Sequence, residues 1–385
     1  MKTVLHNVHL IDGTGIQQNN VDILIEHGKI IEISTDSLQG ELNIDGTGKT
    51  LIPGLIDCHV HLGFGGFDDN RSDAQIGALC LSELQSCFTH GITTVRNMST
   101  KNNIDIQVRD MISECTIKSP RLLASGKGIS ITGGHGWKFN VACDTPIEAL
   151  KAARGQILLK ADVIKLFATG GMGTKGSIPN CPQLTEEQMR VVCEEAEKVG
   201  VLTAAHCTGI EGAQNAIRAG VRSIEHIQLD EETAILMKEK QAFYCPTIIT
   251  RYNIIHTTDP AFQWLRQKAK PGDLERKARA IQLCKKYGIP ICASTDSAGT
   301  GITKIGSSLS DEIALYVQYG LTNMEAIQTA TQIASQMLRI ENETGTIEKG
   351  KIADMVLLEE NPLDDINALK KVALTFRAGE VVYKK

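Results

Sequence analysis

The chain has 385 residues, 42% of them hydrophobic and 22% charged, with a formal net charge of −5. This is ordinary globular composition, and the length suits one large domain with a smaller companion. There is no dense Lys/Arg tract to suggest a nucleic-acid partner, and no run approaches the ~18 consecutive apolar residues of a membrane span. The residues up to His6 lack the apolar core of a signal peptide. The 11 cysteines are odd in number and form no CxxC pair, which suits reduced thiols packed in a cytoplasmic protein.

In chain order, Val21–Ile25 and Lys29–Ile33 flank a turn at His27-Gly28, a hairpin signal. The run Leu51-Ile52-Pro53-Gly54-Leu55-Ile56-Asp57-Cys58 leads into His59-Val60-His61. Residues two apart on a strand point the same way, so two imidazoles converge at a strand end. By itself such a pair is also compatible with surface or core histidines. Further strands fit Ile92–Arg96, Arg121–Ser125 and Asp162–Leu166, with Gly133-Gly134-His135-Gly136 following the third strand of the series.

A helix starts at Thr185, with Gln188 completing a capping box. Met189, Val192, Cys193, Ala196 and Val199 follow its period, and Gly200 stops it. A strand at Val201–His206, a helix over 211–219, a strand at Arg222–His226, a helix over 231–240 and a strand at Ala242–Thr247 come next. A long helical or loop insertion covers 256–275, placed where it would lie over a site. A helix over 273–287 ends at Gly288, and Ile289–Asp296 is the last strand of the series. At the carboxyl end, Ala353–Leu358 is a strand, and Leu374–Arg377 and Glu380–Tyr383 flank a turn at Ala378-Gly379.

Isolated hairpins are marginal in water, so both chain ends are expected to share one small β-domain, residues 1–55 plus 345–385. Eight strands alternating with helices over 56–344 argue for an α/β fold, a (β/α)8 TIM-like barrel. An open doubly wound sheet would need a glycine-rich phosphate loop after an early strand, and none has the right form.

In such a barrel chemistry gathers at the carboxyl ends of the strands. His59 and His61, Lys165, His206, His226 and Asp296 all fall there. Imidazole and carboxylate suit divalent metals. Cys58 and Cys207 adjoin ligand candidates, but a strand neighbour points to the opposite face, which makes them core residues. Arg251 and Tyr252, after the seventh strand, and Arg96, at the end of the second, are candidates for binding a substrate carboxylate or oxygen.

His59-x-His61, Lys165, His206, His226 and Asp296, in that order, resemble the binuclear metal site of the amidohydrolase superfamily. Leu51–Asp57 and Glu348–Val356 resemble the family's passages between its barrel and its small β-sandwich domain. The resemblance implies that His59, His61 and Asp296 hold one ion and that His206 and His226 hold the other. It also implies that Lys165, carbamylated by carbon dioxide, bridges two divalent ions, with zinc the expected metal. A hydroxide shared by the metals would attack a polarised carbonyl, and Asp296 would take its proton and pass it to the leaving nitrogen.

Ile131–Gly136, and Lys165 followed by Ala168-Thr169-Gly170-Gly171, resemble the branch of metal-dependent dipeptidases, which are prolidase-like, and imidazolonepropionase-like enzymes. That branch implies contact between His135 and the substrate carbonyl or carboxylate. The expected function is hydrolysis of a dipeptide or N-acyl amino acid, a small-molecule substrate, by a homo-oligomer. The same site would also serve a hydrolase of a cyclic amide, carbamate or lactone, or a heterocycle deaminase. A non-catalytic binding protein would usually have lost ligands, and this chain retains all six.

Overall fold

The computed structural model describes residues 2–65, 70–299 and 301–385. One eight-stranded sheet draws on both chain ends. Its seam is Thr50–Pro53, which runs parallel to Lys2–Ile11 on one side and antiparallel to Met355–Leu358 on the other. Leu51 pairs with Leu10 across one edge and Leu357 across the other, and all three are buried. The last of the amino-terminal strands therefore takes one of its two partners from a segment about 300 residues away in the chain.

The two hairpin turns have left-handed residues in pairs, His27 with Gly28 and Ala378 with Gly379. This is the primed turn geometry that matches strand twist. The turns also pack on one another, since a Cβ on Gly28 would lie 2.9 Å from the Ala378 carbonyl oxygen.

Between these ends, two parallel sheets alternate with helices. One contains Leu55–His61, Ile92–Asn97 and Arg121–Leu123, together with Ser297–Ala298. The other contains Val163–Phe167, Leu202–His206, Ser223–Glu225 and Phe243–Cys245, flanked by the short strands Ile129–Ser130 and Val141–Ala142. A backbone hydrogen bond links the two sheets on one side, from Asp162 N–H to the Ala124 carbonyl at 2.8 Å.

The expected strand at 289–296 is not regular. It makes a single bridge, Ile291 to Tyr244. Pro290 has no N–H to give to a ladder, and the segment changes partner midway. Cys292 N–H donates to Tyr244, whereas the Ala293 carbonyl accepts from Cys58 N–H and Asp296 N–H donates to His59. Asp296 then turns into the left-handed region at φ +56°.

The helix Glu186–Lys198 has the expected cap. Thr185 accepts from Gln188 N–H, and the Gln188 side chain accepts from Thr185 N–H. Met189, Val192, Cys193 and Ala196 are buried as their spacing predicts, but Val199 is 57% exposed. Val199 is the residue at which the chain leaves the helix, so it turns off the apolar stripe. The insertion at 256–275 resolves into a single turn at Pro260–Phe262, a short helix at Gln263–Arg266 and the start of the helix Asp273–Tyr287. No helix among the described residues is long and apolar enough to cross a membrane.

Burial predicts the response to truncation. Leu51→Ala in the seam is expected to cost about 2–5 kcal/mol, whereas exposed Val199→Ala is expected to stay within about 0.5 kcal/mol. Urea midpoints of the two variants measure the contrast.

Candidate metal centre

Alternation along Leu55–His61 turns Asp57, His59 and His61 to one side. His59 Nε2 lies 3.3 Å from His61 Nε2, and Asp296 Oδ1 lies 3.4 Å from the first and 3.1 Å from the second. Ligands about 2.0–2.1 Å from a tetrahedral ion sit about 3.3 Å apart, so this donor triad has the spacing of a single ion's shell.

Two buried carboxylates hold the triad. Glu225 Oε2 lies 2.8 Å from His59 Nδ1, while Oε1 accepts from Arg96 Nη2 at 3.0 Å and from Ser223 Oγ at 2.7 Å. A carboxylate on Nδ1 selects the tautomer that leaves Nε2 free to ligate. Asp57 accepts from Thr295 N–H and Oγ1–H and from His59 N–H, which ties the first strand to the segment carrying Asp296. Burial pushes the Asp57 carboxyl up to about 7.

His226 and His206 complete the ring of imidazoles. Ring centres lie 4.8 Å apart for His59 and His226, 4.7 Å for His206 and His226, and 4.5 Å for His135 and His206. Thr247 Oγ1 lies 2.8 Å from His226 Nδ1. His226, Thr247 and Asp296 all have positive φ. Left-handed backbone at non-glycine residues is costly and gathers at functional sites. Burial pushes His59, His206 and His226 well below the ordinary value of 6.5, toward the neutral form that binds metal.

Lys165 is 1% exposed, and its Nζ has no hydrogen-bond partner among the described residues. Burial lowers its pKa, and its charge in turn helps to depress His59, His135, His206 and His226. An unpartnered amine in the midst of these rings fits a site built for a further group, because a bare buried ammonium is expensive.

His135 is buried on its glycine-rich loop, with Nδ1 2.7 Å from Thr174 Oγ1 and its N–H donating to Gln183. Burial, then Lys165, push its pKa down to about 4. A Cβ on Gly171 would lie 2.3 Å from His135 Nε2, so Gly171 is what allows the ring its seat.

The carboxylate candidates part company. Arg251 reaches the cavity, with Nη1 3.4 Å from Asp273 Oδ2. Arg251 and Tyr252 lie on the helix Ile248–His256, and Thr250, Arg251 and Ile254, with Thr247 just before the helix, face the cavity. Tyr252 lies a step round that helix and instead packs on His256, with ring centres 4.2 Å apart. Arg96 is fully buried beneath the site, spent on Glu225, Ser223 and the Cys58 carbonyl, and is absent from the cavity wall. The expectation of substrate contact does not fit Tyr252 or Arg96. Tyr244 packs in the core, its hydroxyl donating to the Ile227 carbonyl, and Cys58 and Cys207 are buried as expected.

Sequence reasoning passed over Glu225, Asp57 and Lys277. Each carried a signal. Glu225 is a charge inside an apolar strand, Asp57 shares the alternation of His59 and His61, and Lys277 sits on the buried stripe of Ala280, Ile281 and Cys284.

His61, His135, Lys165, His206, His226 and Asp296 all open on one cavity of about 2180 Å³. The model of the amidohydrolase family matches residues 50–382. The chain belongs to the amidohydrolase family. This amidohydrolase is 29% identical to ochratoxinase of Aspergillus niger over 98% of this chain and 86% of that one. It is 24% identical to imidazolonepropionase of Klebsiella pneumoniae (strain 342), over 89% and 87% of the two chains. Among solved structures it superposes on a Xaa-Pro dipeptidase with bound methionine in the active site, with TM-score 0.89, 30% identity and 100% of both chains covered. The amidohydrolase is thus a hydrolase by family, as the order of its ligand candidates implied.

Two outcomes follow for this site. Gly171→Ala is expected to displace His135 and lower kcat about 100-fold with metal content unchanged, read by steady-state kinetics and metal analysis. The second concerns pH. The folded chain keeps His59, His206 and His226 neutral, so as pH falls below 6.5 the unfolded chain binds more protons at these three and their contribution to metal-free stability is lost, opposed by Asp57, Glu83 and Glu312, whose raised carboxyls take up protons first in the folded chain. Thermal unfolding of metal-stripped protein between pH 7.5 and 5.5 tests that sign.

Proposed function

We propose that this amidohydrolase is a binuclear metal-dependent enzyme that hydrolyses the amide bond of a dipeptide or N-acyl amino acid. The observation that carries the reading is the buried Nζ of Lys165, without a hydrogen-bond partner among the described residues, on the wall of the cavity that His61, His135, His206, His226 and Asp296 also line. In this reading His59, His61 and Asp296 hold one ion, and His206 and His226 hold the other. Lys165, as the neutral amine, would react with carbon dioxide, forming an N–C bond and releasing a proton, and as the anionic carbamate it would help to hold both ions. Zinc is the metal proposed. When bound, the metals supply Lewis acidity and lower the pKa of water.

The chain's own residues do the rest. Asp296 lines the cavity beside His61, so its carboxylate is placed to take a proton from the attacking water and return it to the leaving nitrogen. Thr174 Oγ1 accepts from Gly136 N–H and donates to His135 Nδ1, which puts the neutral imidazole's proton on Nε2, the atom proposed to meet a substrate oxygen. Arg251 is the carboxylate contact, held in place by Asp273.

The reading extends to the fold and the cell. We take the two parallel sheets as one (β/α)8 barrel over 56–344, supported by the bonds that the 289–296 segment makes to both Tyr244 and Cys58. The shared terminal sheet is then the small β-sandwich domain, residues 1–55 plus 345–385. All eleven cysteines are free, which supports a reducing, cytoplasmic setting.

Metal analysis joined to a screen of dipeptides, N-acyl amino acids and cyclic amides tests the proposal. Two zinc ions per chain and turnover of the first two classes are expected. One ion per chain overturns the bridged site, and turnover of a heterocycle but no peptide overturns the substrate class. Lys165→Ala is expected to lose metal and at least about 10²-fold in activity.

A further inference from the structure

Lys277 lies on the helix Asp273–Tyr287 and is 3% exposed. Its stem packs on the stripe shared with Ala280, Ile281 and Cys284, all fully buried. Among the described residues it has no carboxylate within ion-pair distance. Instead Nζ donates to two main-chain carbonyls, those of His226 and of Pro246, the latter at 2.5 Å. A buried amine directed at backbone oxygens is an unusual use of lysine, whose burial is costly.

The two carbonyls belong to the two adjacent strand ends with strained backbone. His226 has φ +73°, and Pro246 immediately precedes Thr247, with φ +48°. Such residues cost about 1–3 kcal/mol each and persist only when their surroundings hold them. These two are also partners, with Thr247 Oγ1 2.8 Å from His226 Nδ1. The orientation of the His226 ring, and the tautomer that Thr247 selects, therefore depend on how the two peptide groups are turned. Lys277 is bonded to both. Ammonium and neutral amine each have two N–H bonds to give, so the clamp does not depend on its charge.

We infer that Lys277 is a positioning residue for the metal centre, clamping the left-handed ends of the two strands so that His226 presents Nε2 to its ion. The inference rests on the proposed role of His226 as a ligand. Without the clamp, the His226 and Thr247 peptides relax, the Nδ1 contact loosens, and the ion that His226 shares with His206 is held less tightly. Loss of such an outer partner weakens metal binding about 10–100-fold. The His59, His61 and Asp296 ion, whose supports are Glu225 and Asp57, is unaffected.

The test is chelator competition on zinc-loaded protein, with bound zinc counted by mass spectrometry. Wild type, Lys277→Met and Ile281→Ala are compared. Ile281 sits one turn along the same helix and is buried, so its truncation destabilises without touching His226. Lys277→Met is expected to surrender one of two zinc ions at a chelator concentration about 10–100-fold lower than wild type, while Ile281→Ala keeps both. If Lys277→Met does not fold, the same comparison is made with Lys277→Gln, whose amide stops short of the carbonyls. Two ions held as tightly in the Lys277 variant as in wild type overturn this inference alone, as does equal loss from Ile281→Ala. A wild type that takes up fewer than two zinc ions overturns the binuclear reading, and this inference with it.

Discussion

Arg96 and Glu225 form a buried ion pair beneath the cavity that continues by hydrogen bond to the neutral His59, and all three are fully excluded from solvent. Taking a carboxylate and a guanidinium out of water costs several kcal/mol per ion, which mutual attraction repays only when every donor and lone pair is used. Here nearly all are. Arg96 spans from the Cys58 carbonyl to Ser223 and Glu225, and Glu225 divides its oxygens between Arg96 with Ser223 and His59. This network crosses from the strand Leu55–His61 through Ile92–Asn97 to Ser223–Glu225, so it fixes three strands in register with one imidazole. The His59 tautomer, and with it the donor triad, is a consequence.

A second constraint is steric. The site brings backbone close to side chain at Gly171, where any Cβ would meet His135, and it turns the chain sharply at His226, Thr247 and Asp296. Strained strand ends point side chains inward that a regular strand would carry past the cavity. Their cost is met by dense fastening from outside the site, by Asp57 on Thr295 and by Lys277 on the carbonyls of His226 and Pro246. Rigidity of this sort is what a pre-organised centre needs, since a displacement of about 1 Å at reacting groups is expensive.

The terminal sheet has a different economy. Thr50–Pro53 is the last strand of the amino-terminal segment and also the start of the approach to His59. Its pairing with Met355–Leu358 anchors the first cavity strand to the carboxyl end of the chain. The integrity of the site is thereby coupled to strands that contribute no ligand.

Much of this was legible from one-dimensional pattern. The capping box at Thr185, the stripe from Met189 to Ala196, the two hairpin turns and the alternation at His59 and His61 are local, and local rules of period and cap decide them. The ordered set His59, His61, Lys165, His206, His226 and Asp296 was legible as a family pattern, and the six open on or border one cavity. Irregularity was not legible. The segment 289–296 reads as a strand by composition, yet its change of partner depends on where Tyr244 and Cys58 lie in space. Tyr252 and Arg96 sit near strand ends in sequence, but the rotation of a helix face removes one from the cavity and an ion pair beneath the strands removes the other. The sequence by itself determined the element order, the ligand candidates and the family. Only the tertiary structure decided which polar residues face the cavity and which support it, because burial and hydrogen-bond partnership are set by residues far apart in the chain.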